Sequence, residues 1–250
     1  TDVRQAAREA WYAQRDADDG CQLLARTLFE AKQLSAAEVW QEVRLSTENN
    51  RPRAARAAAT LLGDDPAKAV GQIFDNPARW LSHRPASAQP QDRQLRALAV
   101  IRMAASDPEA AAGQLGQPWA AALPPDLKAA TWGVVAKQAA LKLQPEAVTW
   151  YRRAFDAQRA SQESPHWSDE TLAWAVRAAL RALEGGKPQW GLVQDAITAM
   201  AAQEQKDPTW VYWRARAQQA LAPAGPAGDE ARASARQLMQ SIASPLSFYG

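Results

Sequence analysis

The sequence has very few of the side chains that most often carry metal or nucleophilic chemistry. It contains two histidines, His83 and His166, and one cysteine, Cys21. Two imidazoles and one thiol fit no recognised zinc-ligand spacing, so we predict no metal site. Both histidines stand among turn-forming residues, where we expect them to face solvent instead of forming a serine-histidine-aspartate triad. No glycine-rich phosphate loop follows a strand, and we therefore predict no cofactor.

Long apolar runs and blocks of a single charge are also missing. No run approaches the ~20 apolar residues that a helix needs to cross a bilayer. The first residues, Thr1 to Arg4, lack the apolar core of a signal peptide. The 29 lysines and arginines nearly balance the 27 aspartates and glutamates, and the two signs alternate along the chain. Because nothing resembles a basic stripe that follows phosphates, we predict no nucleic-acid partner.

The alternation of apolar and polar residues that is typical of strands is absent, whereas apolar residues recur at helical spacing almost everywhere. With 47% hydrophobic residues, the chain can bury a sizeable core. The sequence therefore predicts an all-α protein. The predicted helices lie near residues 2–15, 20–33, 36–48, 52–62, 66–75, 91–106, 108–115, 125–142, 146–160, 169–184, 189–203, 208–221 and 229–242.

Several helix starts are marked by a polar cap and a proline, which tolerates the first helical turn because its missing N–H has no partner there. Ser35 with Glu38 predicts a capping box, and Ser168 precedes two acidic residues at the positive end of another helix. The proline-marked starts are Asp65-Pro66, Asp107-Pro108, Gln144-Pro145, Lys187-Pro188 and Asp207-Pro208.

Short connections between many short helices favour antiparallel neighbours, and helix pairs stacked in series form a solenoid. No strict ~34-residue repeat covers the chain, which disfavours a tetratricopeptide array. We expect a single domain over 1–250, a right-handed α-superhelix of antiparallel helix pairs. Two irregular joints, 82–90 and 161–167, are predicted to bend it.

Eleven tryptophans stand among abundant alanines. Small alanines let helix axes approach, and tryptophan fills the space where helices diverge. Tryptophans in a row can also stack on sugar rings, but at helical spacing they are more typical of a core. We predict core positions for Trp132, Trp150, Trp174 and Trp213, and also for Trp119 and Trp167, which stand in predicted loops.

Both ends of the sequence resemble one enzyme family. Trp210-Val211-Tyr212-Trp213 opens a helix, an alanine-rich helix follows, and the sequence reaches Phe248-Tyr249-Gly250. Near the other end, Cys21 precedes a leucine within a helix, followed by a segment from Trp40 to Leu45. This order resembles the helical domain of the soluble lytic murein transglycosylases. The match covers Ala6–Leu45 and Trp210–Gly250. It is looser over residues 128–200, and over residues 51–123 only the helix content is similar.

The resemblance implies the non-catalytic scaffold of a periplasmic enzyme that cleaves peptidoglycan between N-acetylmuramic acid and N-acetylglucosamine, leaving 1,6-anhydro ends. In that family the helices form part of a ring-like scaffold against which the catalytic domain packs. It implies a catalytic domain after residue 250, further helices before residue 1, and a disulfide between Cys21 and an upstream cysteine, as an oxidising periplasm permits. The implied partners are glycan strands and the chain's own catalytic domain; the protein is expected to be a monomer, with a contact to the outer membrane through an absent N-terminal part.

Two segments imitate the family's catalytic motifs. Glu163-Ser164 resembles the Glu-Ser motif, and the segment 237–240 resembles Gly-Leu-Met-Gln, with Gln237 in place of glycine. In the family the two motifs lie close together, and the glutamate lies against an apolar wall that raises its pKa. Here they are far apart, Pro165 indicates a polar loop at Glu163, and the Ala-Tyr-Asn-Ala-Gly motif is missing. We therefore predict no catalytic residue in the sequence.

An α-solenoid that binds peptides or proteins on its concave face is the main alternative function, since the same fold serves both. Nucleic-acid binding by a helical repeat ranks third, because arginines and lysines face acidic residues about as often as they stand alone.

Overall fold

The computed structural model describes residues 3–13, 17–85, 87 and 89–243. Over these ranges the chain forms fifteen α-helices, two short 3₁₀ turns and no strand beyond one isolated bridge between Glu184 and Lys187. No helix within these ranges is long and apolar enough to span a membrane. The helices are α1 (Val3–Ala13), α2 (Asp19–Glu30), α3 (Ala36–Glu48), α4 (Pro52–Ala59), α5 (Asp64–Asp75), α6 (Pro77–Ser82), α7 (Pro90–Ala104), α8 (Pro108–Leu115), α9 (Pro118–Ala121), α10 (Pro125–Leu141), α11 (Ala147–Arg159), α12 (Asp169–Arg181), α13 (Trp190–Ala199), α14 (Pro208–Leu221) and α15 (Pro226–Ile242).

Helix α10 is the centre of the structure. It packs against α7, α8, α11 and α12, and its buried residues are distributed all round the helix. A helix that is apolar on every side belongs in a protein interior. Alanines at 129, 136, 139 and 140 let the neighbouring helices approach closely, and Trp132 fills the space next to Trp150, with ring centroids 6.4 Å apart.

Elsewhere each helix packs chiefly against the helices before and after it in the chain. Contacts run from α3 through α4 and α5 to α7, and from α12 through α13 and α14 to α15. This serial packing produces the all-α superhelical fold that the sequence predicted. The last helix, α15, buries only Gly228 and Ala235, because it packs chiefly on α14.

Most helix starts follow from local chemistry. Ser35 and Glu38 form the predicted capping box, each side chain accepting from the other residue's backbone N–H. The side-chain oxygens of Ser168 and Asp107 accept from backbone N–H groups of the first turns of α12 and α8. The prediction at Asp65-Pro66 was wrong in register: α5 begins at Asp64, after Gly63, whose φ of 120° suits a residue without a side chain.

Two short helices were missing from the prediction. Asn76 caps α6 through its side-chain oxygen, which accepts from the N–H of Arg79, and Pro77 begins the helix. Helix α9, likewise begun by a proline, contains Trp119, so this tryptophan does not lie in the predicted loop. Both helices span under two turns, too short for apolar periodicity to indicate them.

The tryptophan predictions are confirmed in part. Trp132 and Trp150 are buried, whereas Trp174 and Trp213 are only partly buried and flank the core. Trp213 packs beside Trp190, and its neighbour Trp210 takes the buried position on α14. Trp119 and Trp167, which were also predicted to be core residues, are likewise only partly buried against the core. The predicted terminal segment Phe248-Tyr249-Gly250 lies outside the described residues.

Candidate functional site

The joint between α11 and α12, residues 160–168, carries the sequence's imitation of a catalytic motif. Trp167 fixes this joint to α10: its Nε1 donates to the backbone oxygen of Ala129, 3.1 Å away. Its ring meets Phe155 edge to face at 4.8 Å. Gly133 makes this contact possible, since a Cβ at that position would overlap the indole of Trp167. The joint is therefore anchored by a tryptophan that reaches into a gap left by a glycine.

Glu163 itself lies on the outer side of the joint. The residue is exposed, and its backbone N–H donates to Oγ of Ser161 at 3.0 Å. An exposed carboxylate keeps its water shell and lacks the apolar surroundings that favour a protonated acid. The other motif-like segment, 237–240, lies on α15. Within the part of the chain that the structure describes, no hydrogen bond or ion pair joins the two segments.

The predicted positions of the histidines are confirmed, since both are exposed and lie outside helices. His83 follows α6, with Nδ1 3.0 Å from the backbone oxygen of Arg79. His166 has a φ of 51° within the joint. Partial burial, and after it the nearby guanidinium of Arg44, lower the pKa of His166. Over the described ranges no three His, Cys, Asp or Glu side chains are grouped closely enough to hold a metal ion.

Cys21 lies in the first turn of α2 and is a free thiol among the described residues. Its backbone N–H donates to Oδ1 of Asp18 at 2.9 Å, which caps the helix. Burial, and next the carboxylate of Asp18, raise the pKa of the thiol. The disulfide to an upstream cysteine stays a prediction.

A buried ionic cluster beneath the joint was not predicted. Nζ of Lys137 on α10 lies 3.0 Å from Oε1 of Glu48 on α3 and 2.6 Å from Oε2 of Glu170 on α12. The hydroxyl of Thr171 also donates to Glu48, at 3.0 Å, and the hydroxyl of Tyr151 donates to the backbone oxygen of Thr171. Burial opposes the charged form of Lys137, but the two carboxylates outweigh it and raise its pKa.

This cluster has the chemistry of a clamp between three helices. Glu48 accepts from an ammonium and a hydroxyl at once, so both contacts use its carboxylate as an acceptor. The sequence did contain one signal. Lys137 directly follows the apolar run 132–136 of α10, and a lysine in a helix buried on all sides requires carboxylate partners.

An open cleft of about 640 Å³ lies between α11, α13 and α14. Its two arginines are already paired: Arg159 reaches Asp156 at 2.7 Å and Asp195 at 2.6 Å, and Arg152 reaches Glu184 at 3.3 Å. Hydrogen bonds from Gln189 and then Arg152 lower the pKa of Glu184. An anionic ligand could bind these arginines only by breaking these pairs.

No protein-family model and no curated protein matches the chain. A solved structure, an inactive mutant of lytic transglycosylase Slt from Pseudomonas aeruginosa, is similar over 99% of this chain, with a TM-score of 0.57 and 22% sequence identity. The chain spans 38% of the length of that protein. At this identity the likeness concerns the fold. The chain thus has an all-α superhelical fold that also occurs within lytic transglycosylase Slt.

Proposed function

We propose that this chain is the non-catalytic helical scaffold of a periplasmic peptidoglycan lytic transglycosylase. The observation that carries the proposal is the match to Slt, which extends over 99% of this chain but 38% of the other. Nearly all of this chain matches, whereas most of the other protein lies outside the match. This is the pattern expected of a scaffold that is separate from its catalytic domain. The motif resemblance at Ala6–Leu45 and Trp210–Gly250 points to the same family.

The reaction of the proposed parent protein is cleavage between N-acetylmuramic acid and N-acetylglucosamine with internal attack by the muramyl hydroxyl, which leaves a 1,6-anhydro end. Because the substrate supplies the nucleophile, one carboxylic acid suffices, in contrast to the two carboxylates of glycoside hydrolases. That acid needs apolar surroundings to hold its proton at neutral pH. Glu163 is exposed and Glu48 is held by Lys137 and Thr171, which supports a catalytic acid in another part of the parent.

The proposed partners are glycan strands, which pass the ring-like scaffold, and the catalytic domain of the same chain, with the protein acting as a monomer. Rigidity is the physical requirement for this role, since a scaffold that guides a polymer must hold its shape. The clamp of Glu48, Lys137 and Glu170 and the anchored joint 160–168 supply that rigidity around α10.

The test compares the parent protein with the isolated 250-residue chain on purified sacculi, with products identified by liquid chromatography and mass spectrometry. We expect 1,6-anhydromuropeptides from the parent and none from the chain alone. Glu163→Gln in the parent should leave the rate unchanged, as should the exposed control Glu230→Gln. Release by the isolated chain, or loss of release in a folded Glu163→Gln parent, would contradict the scaffold assignment. An inactive wild-type parent that captures a peptide or protein would favour the alternative α-solenoid interaction module.

A further inference from the structure

A cleft of about 560 Å³ opens where α5 meets α6. The side chains that line it recur at intervals of three and four residues through the break between the helices, so they share one face. They are Gln72, Asp75, Asn76, Arg79, Trp80 and His83, joined by Arg84. A cleft of this size falls within the ~300–1,000 Å³ typical of sites for small ligands.

Two guanidiniums line the cleft: that of Arg79 has no ionic partner among the described residues, and that of Arg84 is held in place by its neighbours. Within the described part of the chain, no carboxylate lies within ion-pair distance of the exposed guanidinium of Arg79. The Arg84 guanidinium lies 5.2 Å from the ring centroid of Trp80 and 3.7 Å from Oδ1 of Asp92. Asp92 accepts more closely from Arg96, at 2.8 Å, so it neutralises Arg84 only in part. With Arg79 and Arg84 against the single carboxylate of Asp75, the residues that line this cleft carry more positive than negative charge.

Asp75 is the one carboxylate among the residues that line the cleft, and the other hydrogen-bonding groups beside the two guanidiniums are neutral. Oδ1 of Asn76 is occupied by the N–H of Arg79, which leaves the amide N–H groups of Asn76 as donors. Nδ1 of His83 is held by the backbone oxygen of Arg79 and by Ser82, which leaves Nε2 for a ligand. Trp80 is only 7% exposed, and Arg84 covers it. Its ring is therefore unsuited to stacking on a bare sugar and acts as a support for the Arg84 guanidinium.

We propose that this cleft binds the carboxylate-bearing stem peptide of peptidoglycan, with Arg79 and Arg84 as the carboxylate ligands and Asn76 as an amide donor. This proposal rests on the proposed function for its choice of ligand. Guanidinium pairs with a carboxylate through two parallel hydrogen bonds, and an arginine already held by an aromatic ring loses little freedom on binding. Stem peptides offer free carboxylates and backbone amides together. The cleft adds a second contact with peptidoglycan on the scaffold itself.

The experiment titrates the 250-residue chain with a soluble disaccharide tetrapeptide and, separately, with the uncharged oligomer chitotetraose. Binding is measured by calorimetry, and its place by ¹⁹F NMR of fluorotryptophan-labelled protein, in which the Trp80 signal is assigned from Trp80→Phe. We expect the tetrapeptide to bind and to move the Trp80 signal. Arg79→Gln with Arg84→Gln should weaken binding about tenfold or more, since two charge-assisted contacts are lost. The control pair Arg26→Gln with Arg53→Gln removes the same charge from exposed positions and should leave binding unchanged.

If both double substitutions weakened tetrapeptide binding equally, the binding would reflect general charge attraction, and the proposed site would be wrong. Binding of chitotetraose with an unchanged response to the arginine substitutions would also overturn it, as would a Trp80 signal that does not move. The cleft proposal and the proposed function can fail independently of each other. Release of anhydromuropeptides by the parent, together with no binding at the cleft, rejects only the cleft. Binding at the cleft, together with an inactive parent, rejects only the transglycosylase assignment.

Discussion

Nζ of Lys137 lies 3.0 Å from Oε1 of Glu48, although 89 positions separate the two residues in the sequence. Side chains on α3 and α10 thus meet inside the protein, and the same ammonium reaches Glu170 on α12. The side chain of Lys137 is 5% exposed and that of Glu48 is 7% exposed, whereas the side chain of Glu170 is 59% exposed. The pair with Glu48 is therefore the buried contact of the clamp, and solvent screens the one with Glu170.

Replacing Lys137 by alanine should destabilise the protein strongly. The substitution leaves the Glu48 carboxylate buried with only the Thr171 hydroxyl as a described partner, and breaking a buried pair in this way costs about 3–5 kcal/mol. Urea denaturation followed by circular dichroism measures the change. Lys68→Ala, on the exposed face of α5, is the control and should stay within about 0.5 kcal/mol of the wild type. If Lys137→Ala and Lys68→Ala changed stability equally, the clamp would contribute nothing to the fold.

Two glycine substitutions should have opposite signs. Gly133→Ala places a methyl group against the indole of Trp167, so we expect loss of stability and release of the joint 160–168. Gly113→Ala on α8 meets no atom within 4 Å, and alanine in a helix interior gains up to about 1 kcal/mol over glycine. Thermal denaturation gives the sign of each change, and limited proteolysis reports whether the joint has opened. A neutral Gly133→Ala variant with a protected joint would refute the close fit to Trp167.

His166 should contribute a pH-dependent term to stability. Its pKa is lowered in the folded protein, so the unfolded chain binds more protons around that pKa. Stability from this group is therefore complete above the ordinary histidine pKa of about 6.5 and is lost as the pH falls toward the folded pKa. NMR titration of the imidazole should give a midpoint below about 6.5. His166→Asn should flatten the pH profile of unfolding, since asparagine tolerates the positive φ of this position. An unchanged profile would contradict the assignment.

Cys21 should form a disulfide with an upstream cysteine in the parent protein. Non-reducing peptide mapping of the parent should recover Cys21 in a cross-linked peptide, and reduction should separate it. In the 250-residue chain the thiol is free, and its raised pKa lowers the thiolate fraction at neutral pH. Alkylation of Cys21 should accordingly be slower than that of glutathione at pH 7.5. A parent protein with an alkylatable Cys21 would rule out the disulfide.

The sequence predicted those helix starts that depend only on residues a few positions apart in the chain. The capping box of Ser35 and Glu38 spans three residues, and the proline after Asp107 marks the start of α8, so both could be recognised without a structure. Trp213 shows the limit of this reasoning. Its spacing on α14 places Trp213 near the face of the helix that packs on the core. The neighbouring helices nevertheless cover Trp210 more fully, and only the placement of those helices determines which of the two tryptophans is buried.

The cleft at α5 and α6 and the identity of the carboxylates around Lys137 could not be predicted for a related reason. The cleft depends on a break after Asp75 that produces α6, a helix too short to generate a periodic pattern. The clamp depends on three helices meeting, and each partner of Lys137 looks like an ordinary surface glutamate in its own segment. Long-range contacts of this kind leave no local pattern in one sequence.

The small buried surface of α15 has a consequence for how the protein opens. Only Gly228 and Ala235 are buried on this helix, and α14 is its chief support. In a serially packed chain, a helix with so little interface can detach while the rest stays folded. Its amide hydrogens should therefore exchange with solvent through a partial opening far less costly than global unfolding, whereas the amides of α10 should exchange only when the whole chain unfolds.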